Sequence, residues 1–430
     1  MDFFLDEIVQ AQKKGEARGI PSICSAHPWV LKTALQGDEP VLMEATCNQV
    51  NQYGGYTGKT ARDFYQFVME VASQVGFPRE KIILGGDHLG PSPWQQESSE
   101  TAMRKAEELV QSYVMAGFAK IHLDASMRLA DDPPGALALE QSARRTARLA
   151  KIAETAANSA IAPRYVIGSE VPVPGGATEH EQAVSVTRVE DTRRTLEITR
   201  EAFKEEGLES AWERVIALVV QPGVEFGDDF ILPYNPGAAS SLAQFSTTTP
   251  LVYEAHSTDY QSPGNLQALV KDHFAILKVG PALTFAYREA LFALEMIERE
   301  LIPPEGCSRL AATLDDAMLR NPVYWKKHYH GSPADLAFAR KYSLSDRCRY
   351  YWTDPGVQVA LGKLLDNLKN TPLPLSLISQ YLPDVYDDIR SGEVTNSAAG
   401  MVSRRIDKVL GSYRQACYKP GAESTFPGNK

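Results

Sequence analysis

Eight short apolar runs, separated by helical patterns between residues 19 and 279, constrain the fold more than any other feature of the sequence. The runs are rich in Val, Ile and Leu and do not alternate with polar residues, as expected of strands that are buried on both faces. Their alternation with helical patterns predicts parallel strands joined by helical crossovers. The predicted strands cover residues 19–25, 41–45, 82–86, 120–124, 164–170, 215–221, 251–255 and 274–279.

Eight strand–helix units favour the α/β class and, within it, a closed (β/α)₈ TIM barrel. A doubly wound open sheet is the structural alternative, but no GxGxxG motif follows the first strand and no P-loop sequence occurs. The pattern changes after about residue 288, where helical and aromatic-rich stretches replace the alternation. We therefore predict a barrel over residues 1–290 and a helical extension over 291–430, packed on the barrel, with a loose tail of about 12 residues.

Composition excludes several classes of function. The 430 residues carry a formal net charge of −10 without a long basic run, so a nucleic-acid partner is not expected. No window approaches the apolar length of a membrane span. The five cysteines are scattered and form neither a zinc-finger nor a disulfide spacing, which predicts a reducing, cytoplasmic setting.

Polar residues cluster where the predicted strands end. Because the carboxyl ends of barrel strands face one way and form the active-site rim, this clustering predicts a small-molecule site. The histidines at or beside these ends are His27, His88, His122 and His256. The acids are Asp87, Asp124, Glu170 and Asp259, and the amides are Asn48, Gln49 and Gln221.

A metal centre is predicted around the Asp87–His88 pair, which follows the third strand in a glycine-rich turn. His88 and His256 are the first choice of ligands, because imidazole suits zinc and catalytic zinc usually has three protein ligands. Either Glu170 or Gln221 would supply the third ligand, and Zn²⁺ is the expected ion. Asp87, together with Glu170, is assigned to catalysis, because a carboxylate near a metal can exchange a proton with a substrate hydroxyl.

The remaining rim residues are assigned to substrate binding. Lys278 could offset a substrate charge or form an ion pair inside the barrel, and His122 could instead support the site from behind. Ser257 and Gly280 lie in the strand 7–8 region, where many barrels bind phosphate. The full predicted set is Asn48, Gln49, His122, Asp124, Gln221, Ser257, Asp259, Lys278 and Gly280. The basic and aromatic segment at residues 347–352 is interpreted as a packed amphipathic helix.

As a set, these motifs resemble the tagatose-bisphosphate aldolase Z-subunit family of the GatZ/KbaZ type, over nearly the whole chain. The motifs that carry the resemblance are residues 24–28 (CSAHP), 44–58 (EATCNQVNQYGGYTG), 85–91 (GGDHLGP), 120–126 (KIHLDAS), 170–176 (EVPVPGG), 220–226 (VQPGVEF), 254–260 (EAHSTDY) and 277–282 (LKVGPA).

The resemblance implies a distant relation to class II ketose-bisphosphate aldolases, which are zinc-dependent (β/α)₈ barrels. In that class an Asp–His pair supplies the acid/base and a zinc ligand, and the matching positions are Asp87 and His88. His256 resembles the last zinc histidine. Where the middle histidine is expected, this chain has Gln221 and Glu225, so the resemblance implies either a different metal sphere or the loss of the metal.

Two functions follow from the resemblance. The first is a metal-dependent 4-epimerase that interconverts tagatose 6-phosphate and fructose 6-phosphate by retro-aldol and aldol steps. The alternative is a non-catalytic accessory subunit that activates and stabilises a class II tagatose-1,6-bisphosphate aldolase. The expected partners are a ketohexose phosphate and either the aldolase's catalytic subunit or further copies of this chain. A kinase function used to label the family finds no support, because no nucleotide-binding loop is visible.

Overall fold

A computed structural model describes residues 4–157, 162–168, 184–369 and 372–418. Within them, eight parallel strands close into a barrel, with β10 pairing back onto β1, so the predicted (β/α)₈ fold is confirmed. A two-stranded antiparallel hairpin, which the apolar pattern did not predict, follows β6. The strands are β1 (Ile20–Ile23), β2 (Val41–Thr46), β3 (Ile82–Leu89), β4 (Lys120–Leu123), β5 (Arg164–Ile167), β6 (Val215–Val219), β7 (Glu225–Phe226), β8 (Ile231–Leu232), β9 (Val252–Ala255) and β10 (Phe274–Val279).

Helices connect the barrel strands and cover their outer faces. Local signals fix their ends: α3 begins at a capping box between Thr60 and Asp63 and ends at Gly76, whose φ of 74° suits a helix C-terminus. The helices up to the end of the barrel are α1 (Phe4–Lys13), α2 (Pro28–Ala34), α3 (Ala61–Val75), α4 (Ser99–Met115), α5 (Leu139–Ala156), α6 (Val189–Glu205), α7 (Glu209–Trp212), α8 (Pro236–Ser246), α9 (Pro263–Lys271) and α10 (Pro281–Leu301).

The N-terminal end of the barrel is closed by α1. Its apolar side chains Leu5 and Ile8 are buried and belong to the same cluster as Ile20, Leu42 and Ile83, which lie within the first two residues of successive strands. Side chains two residues apart on a strand point to the same face. The next layer of inward-facing side chains therefore lies above this apolar cluster, closer to the carboxyl ends of the strands. Because this apolar cluster fills the N-terminal end of the barrel, a site is expected at the opposite, carboxyl end.

The C-terminal helices pack on the barrel rather than forming a separate core. Helix α16 contacts α2, α9 and α10, and its buried residues join the large core cluster of the barrel. The division at residue 290 stays a prediction, and α10 runs across it. These helices are α11 (Leu310–Arg320), α12 (Pro333–Tyr342), α13 (Pro355–Asn367), α14 (Leu375–Tyr381), α15 (Pro383–Arg390) and α16 (Ala398–Cys417).

Two further observations bear on the predicted setting of the protein. Across the described ranges, none of the helices has both the length and the apolar character needed to cross a bilayer. All five cysteines lie in described parts of the chain and are free thiols. The cytoplasmic setting stays a prediction.

Candidate functional site

A cavity of about 730 Å³ lies between the carboxyl ends of the barrel strands and the segment that joins α12 to α13. Most of the predicted site residues line it, which brings together groups that are far apart in the sequence. The predicted residues that line the cavity are Asn48, Gln49, Asp87, His88, His256, Ser257, Asp259, Lys278 and Gly280. His122, Asp124 and Gln221 do not line it, and Glu170 lies outside the described residues.

A layer of paired charges forms the floor beneath this cavity. Lys120 Nζ lies 2.5 Å from Glu44 Oε1 and 2.6 Å from Glu254 Oε2, and all three side chains are fully buried. Lys278 Nζ pairs with Glu44 and lies 2.6 Å from Asp87 Oδ1. Barrel interiors are usually filled with branched apolar side chains, so a charged layer marks a departure from pure packing. Lys278 thus both lines the cavity and pairs inside the barrel.

Strand register explains how Glu44 and Lys120 meet. Glu44 on β2 is aligned with Gly85 on β3, and Gly85 is aligned with Lys120 on β4. A Cβ atom at Gly85 would lie 2.7 Å from Glu44 Cγ, so only glycine leaves room for the carboxylate. Sequence reasoning missed these charges, although a single acid or lysine inside an apolar strand was the available signal.

Asp87 is the acid that connects the charged layer to the cavity. Its Oδ1 accepts from Lys278 and lies 2.9 Å from His122 Nδ1. Burial opposes its ionisation, but the positive charges of His88 and Lys278 and the contact with His122 hold the pKa of Asp87 well below its usual range. Asp87 is therefore an ionised carboxylate at neutral pH.

His88 follows Asp87 in a left-handed backbone conformation, with φ of 48°. This conformation is uncommon for residues other than glycine, and it often marks a functional position. His88 Nδ1 lies 2.8 Å from Asp124 Oδ2, so Asp124 orients the ring from behind the cavity. Burial opposes the charged form, yet Asp87 and Asp124 raise the pKa of His88.

Three imidazole rings meet at the end of the barrel. The ring centroid of His88 lies 5.1 Å from that of His122 and 5.0 Å from that of His256, and the last two are 5.4 Å apart. Burial lowers the pKa of His256 to about 3, so this imidazole is neutral and can offer a lone pair.

Four of these side chains could hold a metal ion. One ligand atom from each lies within 4.8 Å of the others, and all four residues are buried: Asp87, His122, Glu254 and His256. This mixture of imidazole and carboxylate ligands suits zinc and similar divalent ions. His122 fits a ligand role, because its Nδ1 faces Asp87 while its Nε2 is buried without a hydrogen-bond partner. Sequence reasoning gave His88 the ligand role and His122 a substrate role, whereas this group contains His122 and excludes His88.

The side-chain oxygen of Gln221 is engaged in a turn, and Gln221 does not line the cavity. Its Oε1 accepts from the backbone N–H groups of Gly223 and Val224, at 2.8 and 3.1 Å, and so shapes the turn after β6. The sequence offered Glu170 and Gln221 as candidates for the third metal ligand. Gln221 takes part in a turn, and Glu170 lies outside the described residues.

The strand 7–8 region differs from the expected open phosphate site. Asp259 Oδ1 accepts from the backbone N–H groups of Gly280 and Ala282, at 3.0 and 2.8 Å. These groups stand at the N-terminus of α10, where an anion is favoured. A carboxylate of the chain itself occupies that position. Burial outweighs these hydrogen bonds and raises the pKa of Asp259 to about 6.

The far wall of the cavity is basic and aromatic. Arg347, Arg349 and Tyr350 come from a short 3₁₀ helix, Arg347–Tyr351, that lies over the barrel mouth. Tyr56, from the glycine-rich loop after β2, packs edge-on against Tyr350 with ring centroids 4.7 Å apart. The sequence interpretation of this segment as a simple packed helix missed that its arginines face the cavity. Its combination of two arginines with three consecutive aromatic residues, RCRYYW at 347–352, was the signal.

The fold and the site together define a class: a (β/α)₈ barrel with a buried, metal-capable polar cluster at the carboxyl ends of its strands. The chain belongs to the D-tagatose-1,6-bisphosphate aldolase subunit GatZ/KbaZ-like family, whose model matches residues 5–418. The family resemblance inferred from the motifs is thereby confirmed, and it makes the chain a member of an aldolase-related family.

Individual relatives agree with this assignment. The chain is 52% identical over 419 residues to the D-tagatose-1,6-bisphosphate aldolase subunit GatZ of Salmonella agona (strain SL483), covering 96% of this chain and 99% of that protein. The GatZ subunit of Salmonella dublin is 51% identical over the same coverage. Among solved structures, a probable tagatose 6 phosphate kinase from Sinorhizobium meliloti 1021 is 45% identical, with a TM-score of 0.86, covering 93% of this chain and 100% of that one.

Proposed function

We propose that this chain is a GatZ-type subunit that serves a D-tagatose-1,6-bisphosphate aldolase. The observation that carries this proposal is full-length identity of 52% to a protein of that name. Such a subunit would stabilise and activate a class II catalytic subunit. The helical extension exposes large apolar side chains, among them Leu319, Phe338 and Val359, against which such a partner would pack.

A second function is favoured by the site itself. The metal-capable group at the cavity floor and the ionised Asp87 supply what an epimerase acting at C4 of a ketohexose 6-phosphate needs. A subunit with a purely structural role has no physical need for buried charges, since taking each charge out of water costs several kcal/mol that its pairing must offset. We therefore propose 4-epimerase activity as a second function, in addition to the subunit role.

The residues that would hold a divalent ion, zinc by its ligand types, are His122, Glu254 and His256, while Asp87, the fourth member of the group, would stay beside the ion as the acid/base. When bound, the ion would supply Lewis-acid polarisation of the ketose carbonyl. His88, held by Asp124, would stand beside the group and keep Asp87 ionised. Lys278 would hold the Asp87 carboxylate in place from below.

In the epimerase reaction, Asp87 accepts the proton of the substrate's C4 hydroxyl as the C3–C4 bond breaks. The electron pair of that bond passes to the C2 carbonyl and gives an enediolate, while C4 becomes an aldehyde. The aldehyde turns within the cavity and the bond re-forms on its other face. Asp87 then returns the proton to the new C4 oxygen, so atoms and charge balance.

The purified chain distinguishes the two functions. It is incubated alone with tagatose 6-phosphate and a divalent ion, before and after chelation, and fructose 6-phosphate is measured. An epimerase forms fructose 6-phosphate only with the ion, and Asp87→Asn abolishes the product. The control variant Asp131→Asn removes an exposed carboxylate that is not among the residues lining the cavity, and it should keep the activity.

The subunit role is tested in the same preparation by adding the chain to the catalytic subunit of a class II tagatose-bisphosphate aldolase. The expected result is higher aldolase activity and slower thermal inactivation of the partner. Absence of both effects, at concentrations where the partner alone is active, would exclude the subunit role. Absence of fructose 6-phosphate under all conditions would exclude the epimerase.

A further inference from the structure

The basic wall of the cavity contains two arginines without an acidic partner. Within the described ranges, no carboxylate oxygen lies within 4.0 Å of the guanidinium of Arg347 or Arg349. Arg347 Nη1 donates to the Tyr324 carbonyl at 3.2 Å, while its Nε is buried without a partner. Arg349 donates to backbone carbonyls and to the Tyr350 hydroxyl.

The neighbouring carboxylates are engaged elsewhere. Asp346 Oδ1 pairs with Arg288 Nε at 3.2 Å, and Asp228 accepts from the hydroxyls of Ser343 and Ser345. Burial, followed by the charge of Arg349, lowers the pKa of Arg347. Arg347 is buried and Arg349 is half-buried, and two neighbouring cations placed in this way are costly to keep unless an anion joins them.

The ligand chemistry that fits two neighbouring guanidinium groups is a phosphate monoester. Arginine presents a planar fork of N–H donors that binds phosphate oxygens in pairs. Both side chains line the same cavity as Asp87 and Lys278. A sugar that lies between the cavity floor and this wall would thus place one end at the metal-capable group and a phosphate at the arginines.

The other place in the cavity where an anion would be favoured is the N-terminus of α10, and a second phosphate cannot bind there in the same way. The backbone N–H groups of Gly280 and Ala282 already donate to Asp259 Oδ1. Asp259 and Gly280 both line the cavity, so an anion brought there would meet a carboxylate and two N–H groups that are already engaged. Like charges placed side by side in an interface cost several kcal/mol.

We propose that the cavity selects a ketose carrying one phosphate, bound by Arg347 and Arg349, and that Asp259 excludes a bisphosphate by occupying the second anion position. This inference rests on the proposed 4-epimerase function, which already takes a monophosphate, and adds the residues that bind its phosphate and the residue that excludes a second one. It also separates this site from that of an aldolase that takes a bisphosphate.

Calorimetric titration of the full chain with added Zn²⁺ tests the proposal with four probes: fructose 6-phosphate, fructose 1,6-bisphosphate, fructose and inorganic phosphate. We expect the monophosphate to bind at least about tenfold more tightly than the bisphosphate or fructose. Arg347→Gln and Arg349→Gln should each weaken monophosphate binding about 10- to 100-fold and leave zinc content and fructose affinity unchanged. If the two arginines served only the fold, their loss would weaken the binding of fructose and of fructose 6-phosphate alike.

Two further variants sharpen the result. Asp259→Asn should narrow the preference for monophosphate over bisphosphate about tenfold, because the repulsion is removed. Arg340→Gln is the matched control, since Arg340 is a buried arginine of the same extension that already pairs with Asp315 at 2.6 Å. It should keep the affinity for monophosphate. If a glutamine variant does not fold, Arg→Lys at the same position keeps the charge and loses the fork, and should still weaken binding.

Equal affinity of the wild-type chain for mono- and bisphosphate, binding of neither, or wild-type affinity in both glutamine variants would overturn the proposal. The same experiments distinguish a failure of this inference from a failure of the epimerase function. Selective binding without turnover refutes the epimerase and leaves this inference standing. Turnover with an unchanged KM in both arginine variants refutes the inference and leaves the epimerase standing.

Discussion

The ammonium group of Lys120 lies 2.5 Å from Oε1 of Glu44, and neither side chain is exposed to solvent. Lys120 also pairs with Glu254, so its removal would leave two buried carboxylates short of a partner. We expect Lys120→Met to lower the free energy of unfolding by about 3–5 kcal/mol, measured by urea denaturation.

The control for Lys120 is Arg104→Met, which breaks an exposed pair with Glu108 on one helix face. Its effect should stay within about 0.5 kcal/mol. Equal effects of the two variants would show that the interior charges do not support the fold.

Gly85 offers a second test of the charged layer, based on space rather than charge. In Gly85→Ala the new methyl group would press on Glu44 Cγ, and we expect a loss of about 1–3 kcal/mol in the free energy of unfolding. Gly362→Ala is the matched control, because a Cβ there meets nothing within 4 Å and the residue lies inside α13. That variant should gain up to about 1 kcal/mol from helix propensity, so the two changes should have opposite signs.

The barrel could be predicted from the sequence because its physical cause is local. A strand covered on both faces must be apolar along its length, and each of the eight runs shows this pattern without reference to the others. The rim was predictable for a related reason. In a parallel barrel all strand ends face one way, so residues such as Asp87 and Asp259 must converge once the fold is assumed.

The charge pairs below the rim could not be predicted in the same way. Glu44 and Lys120 meet because β2, β3 and β4 are in a particular register and because Gly85 leaves a gap between them. Register across three strands is a property of the closed barrel, not of any one segment. Arg347 was missed for a comparable reason, since the packing of a distant segment places it over the cavity.

The metal ligands can be assigned by metal analysis of three histidine variants. His256 belongs to both the ligand set predicted from sequence and the buried group in the structure, so His256→Ala should lose bound zinc. The geometry favours His122 as the next ligand, and we expect His122→Ala to lose zinc as well. His88→Ala should retain zinc with affinity reduced about 10- to 100-fold, as for a residue that supports ligands without binding the ion.

The opposite pattern is equally informative. If His122→Ala keeps stoichiometric zinc and His88→Ala loses it, then His88 is the ligand, as predicted from the sequence, and His122 is not. Circular dichroism of each variant controls for unfolding, because loss of the fold would remove the metal whatever the ligand.

Asp259 makes a prediction about pH and stability. Burial raises its pKa from 3.8 to about 6 in the folded chain, so the folded state binds this proton more tightly than the unfolded state. A group of this kind makes stability fall as pH rises from about 4 through 6, and the full penalty is present above pH 6. Asparagine keeps the oxygen acceptor without the charge. The stability of Asp259→Asn relative to wild type should therefore increase between pH 4 and 7, by up to about 3 kcal/mol.

The matched comparison for Asp259 is Asp131→Asn. Asp131 is exposed and accepts from the backbone N–H of Ser99 at 2.7 Å, a bond that lowers its pKa. A lowered pKa stabilises the fold above the unfolded value, so this variant should lose stability relative to wild type as pH rises over the same range. Urea midpoints at pH 4, 5, 6 and 7 measure both differences, and the other titrating groups cancel because each variant is compared with wild type at one pH. Parallel curves for Asp259→Asn and wild type would mean that the carboxylate at the start of α10 is already compensated for its burial, and that its charge is held there at no cost to the fold.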